Sequence, residues 1–141
     1  MGVISSSIEQ ALFDAAKAVR KNAHVPYSRF HVGAAILAED GEIYAGCNVE
    51  NAAYPLGSCA EASAISAMIA GGAKRIKRIF IVGSGSEPVT PCGGCRQRIR
   101  EFGDPDIMVV SFGVDGQKPL RQTLEQLLPH SFGPEFLGEK P

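Results

Sequence analysis

No apolar run in this 141-residue sequence approaches the roughly 20 residues that a membrane-spanning helix requires, so no membrane partner is expected. Nor is there an excess of either charge. Fourteen Lys and Arg stand against 15 Asp and Glu, for a formal net charge of −1. That removes the general electrostatic pull toward nucleic acid or an anionic membrane surface and leaves room only for a local basic patch. The opening stretch, MGVISSSIEQ, lacks the basic start and apolar centre of a secretory leader. Its first six residues match an acylation signal only loosely. A cytoplasmic protein is expected. Repeats, low-complexity stretches and linkers are also missing. With 45% hydrophobic and 21% charged residues, this predicts one domain over 1–141 built on a single core.

What the sequence does hold is an alternation of helix and strand patterns. Ile8, Leu12, Ala15, Ala16 and Val19 share one helical face and predict a helix from Ile8 to Ala23, ended before Pro26. Ser6 with Glu9, or Ser7 with Gln10, would form a capping box at its start. Val32–Glu39 and Glu42–Asn48 read as a hairpin turned at Asp40-Gly41. Cys59–Ala70 reads as a helix stopped by Gly71-Gly72, and Arg78–Gly83 as a buried strand. Cys92–Phe102 reads as a helix ended by Gly103 and Pro105, and Ile107–Phe112 as a second apolar strand. A short strand after Asp115-Gly116 and a helix over Leu120–Leu128 would follow. Strands separated by crossover helices imply an α/β fold with a partly parallel sheet and helices on its faces. The helix after Cys59 has Glu61 as its only charge. It is apolar all round, so one side should meet the sheet and the other a second subunit. Lys74, Arg75, Lys77 and Arg78 read as a solvated connection, with acidic partners on a neighbouring subunit.

Four cysteines remain to be explained: Cys47, Cys59, Cys92 and Cys95. In a cytosolic chain such a set reads as metal-binding or catalytic rather than as disulfides. Cys92-Gly93-Gly94-Cys95 alone fits a zinc half-site, a redox pair or two small buried hydrophobes. Cys59 shifts the balance, because it too stands at a predicted helix start. Three thiolates from helix N-termini can converge on one Zn2+ and leave a fourth position open, which a closed structural site would not. Cys47 is read as a small buried residue, His24 and His31 as structural or surface residues, and His130 as a residue that lines the site. Glu61, two residues beyond Cys59, would lie within reach of a water at that centre without being a ligand. It is a candidate general base.

The pattern Cys-Ala-Glu followed by Pro-Cys-x-x-Cys resembles the signature of zinc nucleobase deaminases. Pro26-Tyr27-Ser28-Arg29-Phe30, Val32-Gly33-Ala34-Ala35, Gly46–Pro55, Pro91–Gln97 and Leu127–Pro134 narrow the likeness to the small cytidine deaminases, from the first helix to Leu137. The resemblance implies a three-layer α/β/α fold with a mixed sheet of about five strands. It also implies zinc-dependent hydrolytic deamination of cytidine or 2′-deoxycytidine in pyrimidine salvage. Zinc would be held by Cys59, Cys92 and Cys95. Glu61 would move protons from the attacking water to N3 of the base and then to the leaving amine. Asn48 and Glu50 would hold the ribose 3′-hydroxyl, Phe30 would pack on the nucleoside, and the Ala60 backbone would contact the base. Tyr54 and Phe132 would reach into a neighbouring subunit's site in a homotetramer. The partner is thus a small nucleoside and not nucleic acid, whose chain would occupy the 3′-oxygen.

The chain departs from the resemblance at Ala62, where the family commonly carries an arginine that donates to the thiolates. Either another donor or the helix ends alone must then balance them. Three readings compete: a deaminase of a modified nucleoside, a non-catalytic zinc module, and a redox dithiol protein.

Overall fold

A computed structural model of the chain describes residue 4 and residues 6–139; the rest of the start, read above for a leader or acyl anchor, lies outside them. The first apolar stripe folds as α1 (Ser7–Arg20), capped by the Ser6 hydroxyl, which accepts from the Glu9 amide at 3.2 Å. It stops short of the expected Ala23 because Asn22 and Ala23 close tighter turns, onto Val19 and Arg20. Its buried face is Glu9, Leu12, Phe13 and Ala16. The hairpin forms as β1 (Gly33–Ala38) and β2 (Ile43–Cys47), with Gly41 at φ 82 in the turn. Then come α2 (Ala60–Ala70), β3 (Ile76–Val82), α3 (Gly93–Phe102) and β4 (Gly103–Phe112).

Two expectations need correction. The strand expected at Ile107 begins at Gly103, whose partner is Ile76. The register then shifts before Arg78 meets Met108, and this shift accommodates Pro105 inside the strand. The helix expected over Leu120–Leu128 is half strand: β5 (Leu120–Thr123) precedes α4 (Leu124–Leu127). β5 is held by pairing with β4, from Met108↔Thr123 to Ser111↔Leu120. The helix starts only where Thr123 and Gln126 close a reciprocal capping box. Arg121 on β5 also reaches Glu9 of α1 through two bonds of 3.0 Å.

The sheet order is β2-β1-β3-β4-β5, with β3 and β4 parallel and the other neighbours antiparallel. Leu12, Phe13 and Ala16 of α1 cover one face with Ala35, Phe80, Val82, Val110 and Phe112. Residues of α2, α3 and α4 cover the other with Ala34, Ile36, Ile79, Ile81 and Val109. This is the three-layer α/β/α arrangement with five strands. Two glycines set the layer spacing. A Cβ on Gly33 would collide with Ala16 O of α1, and one on Gly46 with the Ala64 amide of α2. The basic cluster finds partners within its own chain: Arg75 pairs with Asp104 at 2.7 Å, and Arg78 lies 3.7 Å from Glu9. No helix among the described residues is long and apolar enough to cross a membrane.

Candidate active site

Strand direction brings the cysteines together. β2 and β3 both run antiparallel to β1, so they point the same way, and Gly33 pairs with both Cys47 and Val82 at their ends. α2 follows β2 and α3 follows β3, so both helices begin at this one end of the sheet, outside the carboxyl ends of the strands. Cys59 is the N-cap of α2, Cys92 is the N-cap of α3, and Cys95 lies in the first turn of α3.

The three Sγ atoms lie within 4.8 Å of one another, and those of Cys59 and Cys92 are 4.0 Å apart. Tetrahedral ligation with zinc–sulfur bonds of about 2.3 Å sets sulfur–sulfur separations of about 3.8 Å. The cluster therefore fits zinc with little movement. The Cys59 thiol is lowered to about 6, first by the hydrogen bond from Cys95, then by Cys92 and the positive charge of Arg98, against the opposing effect of burial. Cys95 is pushed up by that same bond, then by burial and the charges around it. Cys47 lies outside the cluster.

Glu61 stands in the first turn of α2 and is only 4% exposed. Burial pushes its carboxyl up to about 7, and the Cys59 charge adds to the effect. The carboxyl lines a cleft of about 150 Å3 with Val32, Asn48, Cys59, Ala60 and Cys92. A buried carboxyl that titrates near neutrality, at a cluster of three thiols and an open cleft, has the chemistry to accept and return a proton.

A family profile described as the cytidine and deoxycytidylate deaminase zinc-binding region matches residues 6–111. The chain belongs to the cytidine and deoxycytidylate deaminases. Hydrolytic deamination of cytidine is the reaction of this family, and zinc its cofactor. The deaminase is 42% identical over 131 residues to the cytidine deaminase of Sporosarcina psychrophila, covering 93% of this chain and 95% of that protein. It is 38% identical to that of Halalkalibacterium halodurans over 130 residues, covering 92% and 98%. The crystal structure of cytidine deaminase from Burkholderia pseudomallei superposes with a TM-score of 0.82 at 42% identity, covering 87% of this chain and 98% of that one.

The other residues singled out in the sequence of this deaminase divide into three groups. Asn48 and Ala60 share the Glu61 cleft. β2 ends at Cys47, so Asn48 and Glu50 lie on its extended continuation, where Val49 bridges to His24 and Ser58. Asn48 also ties down the segment that carries Phe30, accepting from the Val32 amide at 2.9 Å and donating to Phe30 O at 2.8 Å. Glu50 and Tyr54 line a second cleft of about 390 Å3 with Tyr27 and Ser28. The Glu50 carboxyl is held below its usual range, first by the Ser28 hydroxyl and then by the Ser28 and Tyr27 amides. Phe132 lines neither cleft. It stacks on Phe136 in the tail, and its carbonyl accepts from Gln97 of α3 at 2.8 Å.

Sequence reasoning missed the residues that position this site. Ser28, through its hydroxyl and amide, and Tyr27, through its amide, fix Glu50 from far along the chain, which leaves no mark in the spacing. Arg96 holds the loop before Cys92, donating to Pro91 O and Leu127 O at 2.8 Å each. Arg98 reaches the Cys95 sulfur. It stands three residues beyond Cys95 on one helix face, a spacing that was readable.

Proposed function

We propose that this chain, as one domain, hydrolyses cytidine or 2′-deoxycytidine to the uridine product and ammonia, with zinc held by Cys59, Cys92 and Cys95 and Glu61 moving the protons. The observation that carries the reading is the buried Glu61 carboxyl, raised to about 7, at a cluster of three thiols that fits zinc. Zinc held there supplies the Lewis acidity that brings the ionisation of a water toward neutral pH. Glu61 accepts the proton of the incoming water as its oxygen bonds to C4 of the base, and passes that proton to N3. It then takes the proton of the new C4 hydroxyl and delivers it to the exocyclic nitrogen; the C4–O bond becomes the carbonyl of the uridine product, the C4–N bond breaks and ammonia leaves. One group ionising near neutrality serves as base and then as acid because neither form is strongly favoured.

Asn48 and Glu50 bind the ribose 3′-hydroxyl. Three donors already occupy Glu50 and keep it ionised, and a carboxylate has room for about four. Phe30 packs on the nucleoside, and the Ala60 amide, a first-turn donor without a helical partner, meets the base. Tyr54, 74% exposed, and Phe132, 55% exposed, complete a neighbouring subunit's site in a homotetramer. The enzyme works in the cytoplasm, in pyrimidine salvage.

The test is ultraviolet absorbance of cytidine with zinc-loaded protein, beside Glu61→Gln. The parent converts cytidine to uridine with ammonia release. Glu61→Gln keeps one zinc and loses turnover by about 10²–10⁴-fold. Turnover retained in Glu61→Gln would remove its assigned role. A silent parent with zinc bound would exclude cytidine as the substrate.

A further inference from the structure

The zinc site carries a charge that needs balancing. Three thiolates and one Zn2+ sum to −1. Negative charge removed from water needs fixed donors or cations near it. The helix N-termini supply partial charge. α2 supplies no cation, since Glu61 is its only charged residue. The cations of α3 are Arg96, Arg98 and Arg100. Arg96 is engaged by the carbonyls of Pro91 and Leu127, and Arg100 by Ser131 and Glu135.

Arg98 is placed differently. Its Nη1 lies 3.7 Å from Cys95 Sγ, and no ion pair found among the described residues uses it. It lies in a cleft of about 410 Å3 between the two helices, with Ala62 and Ile65 on the α2 side and Gln97, Glu101 and Phe102 on the α3 side. Ala62 is the α2 residue that follows Glu61, and its methyl group leaves the cleft open to a guanidinium arriving from α3.

We propose that Arg98 is a positioning residue of the zinc site, its guanidinium donating to the Cys95 thiolate one turn back on α3 from within the cleft that Ala62 leaves open toward α2. It rests on the zinc reading above. A sulfur that accepts such a bond is fixed in orientation, and its charge is partly offset. The two positions are therefore coupled: a cation is needed once, on either helix, and bulk at 62 excludes the one at 98.

The test measures zinc affinity by competition with a chromophoric chelator, and the thiolate-to-metal absorption of the Co2+-substituted protein. The proteins compared are the parent, Arg98→Met, Arg98→Lys, Ala62→Leu and the double variant Ala62→Arg/Arg98→Met. Arg98→Met is expected to bind zinc about tenfold more weakly, at the low end for loss of a ligand's supporting partner because Arg98 is exposed to water. Its Co2+ band shifts, while the melting of the metal-free chain does not. Arg98→Lys recovers part of the loss, the double variant recovers most of it, and Ala62→Leu reproduces the Arg98→Met loss. Arg98→Met binding zinc as tightly as the parent, with an unshifted Co2+ band, would overturn the proposal and leave the zinc reading standing. A parent that takes up no zinc would overturn both.

Discussion

Glu61 shows how one residue's surroundings set its chemistry. An exposed glutamate ionises near 4.5, whereas this one, 4% exposed, ionises near 7, because burial removes the water that would stabilise its charge. The same shift acts on stability. Between those two pH values the folded chain holds a proton that the unfolded chain has released. The metal-free protein is therefore most stabilised by this group below about pH 4.5, and it loses up to roughly 3 kcal/mol as pH rises through 7. Urea unfolding of the metal-free parent should show that decline from pH 5 to 7.5, and Glu61→Gln should lack it. Equal slopes in the two would mean that the carboxyl is hydrated. Glu50 has the opposite character, kept ionised by three donors at the surface. Glu50→Gln should raise KM for cytidine by about 10–100-fold, the usual worth of a hydrogen bond to a charged group. It should barely change KM for the 3′-deoxy analogue, which has no hydroxyl to lose. An equal effect on both nucleosides would place Glu50 away from the 3′-oxygen.

At the scale of elements, the site depends on how closely the helices approach the sheet. α2 can start beside α3 only because Gly46 lets its backbone lie against β2. Gly46→Ala should cost about 1–3 kcal/mol, as overpacking does, and lower the melting temperature by several degrees. Because the shift moves α2, Cys59 and Glu61 move with it, so zinc affinity should fall as well. Unchanged stability would show that β2 can move outward at no cost. The short α4 leans on its cap. Thr123→Ala removes the bond to the Gln126 amide and should cost about 1 kcal/mol in chemical denaturation, with zinc affinity unchanged.

At the scale of the whole molecule, what stands out is apolar surface left uncovered. Tyr54, Leu56, Phe132, Phe136 and Leu137 are all exposed, and so is Ile69 on the outer side of α2. The tail that carries two of these aromatics is tied to α3, where the buried Arg100 bonds to Ser131 Oγ at 2.8 Å and pairs with Glu135, and Gln97 holds Phe132 O. A pinned aromatic on an exposed tail is what a shared site requires, since a free tail would add an ordering cost to every binding event. Sedimentation velocity should give a mass near four times the 14.9 kDa chain. Arg100→Met should release the tail to proteolysis and raise KM with kcat little changed. A monomeric parent with full activity would remove the shared-site reading.

The local chemistry was legible from the chain alone. Helix starts at Cys59 and Cys92, the Cys-x-x-Cys spacing and the single charge at Glu61 are local facts, written in a few neighbouring residues, and they point to a metal cluster with a carboxyl beside it. Alternating helix and strand patterns likewise pointed to a partly parallel sheet with helices on its faces, because periodicity reports which side of an element is buried. The chain could not show what depends on residues far apart in sequence. Leu120–Thr123 has no strand signature of its own and becomes β5 only because β4 presents an open edge and Glu9 captures Arg121. Pro105 reads as an ending and is taken into a strand by a register shift. Whether anything replaced the arginine missing at position 62 was undecidable from α2. A cation does stand at the Cys95 sulfur, Arg98 one turn along α3, and only the packing of α2 against α3 sets that residue in one cleft with Ala62.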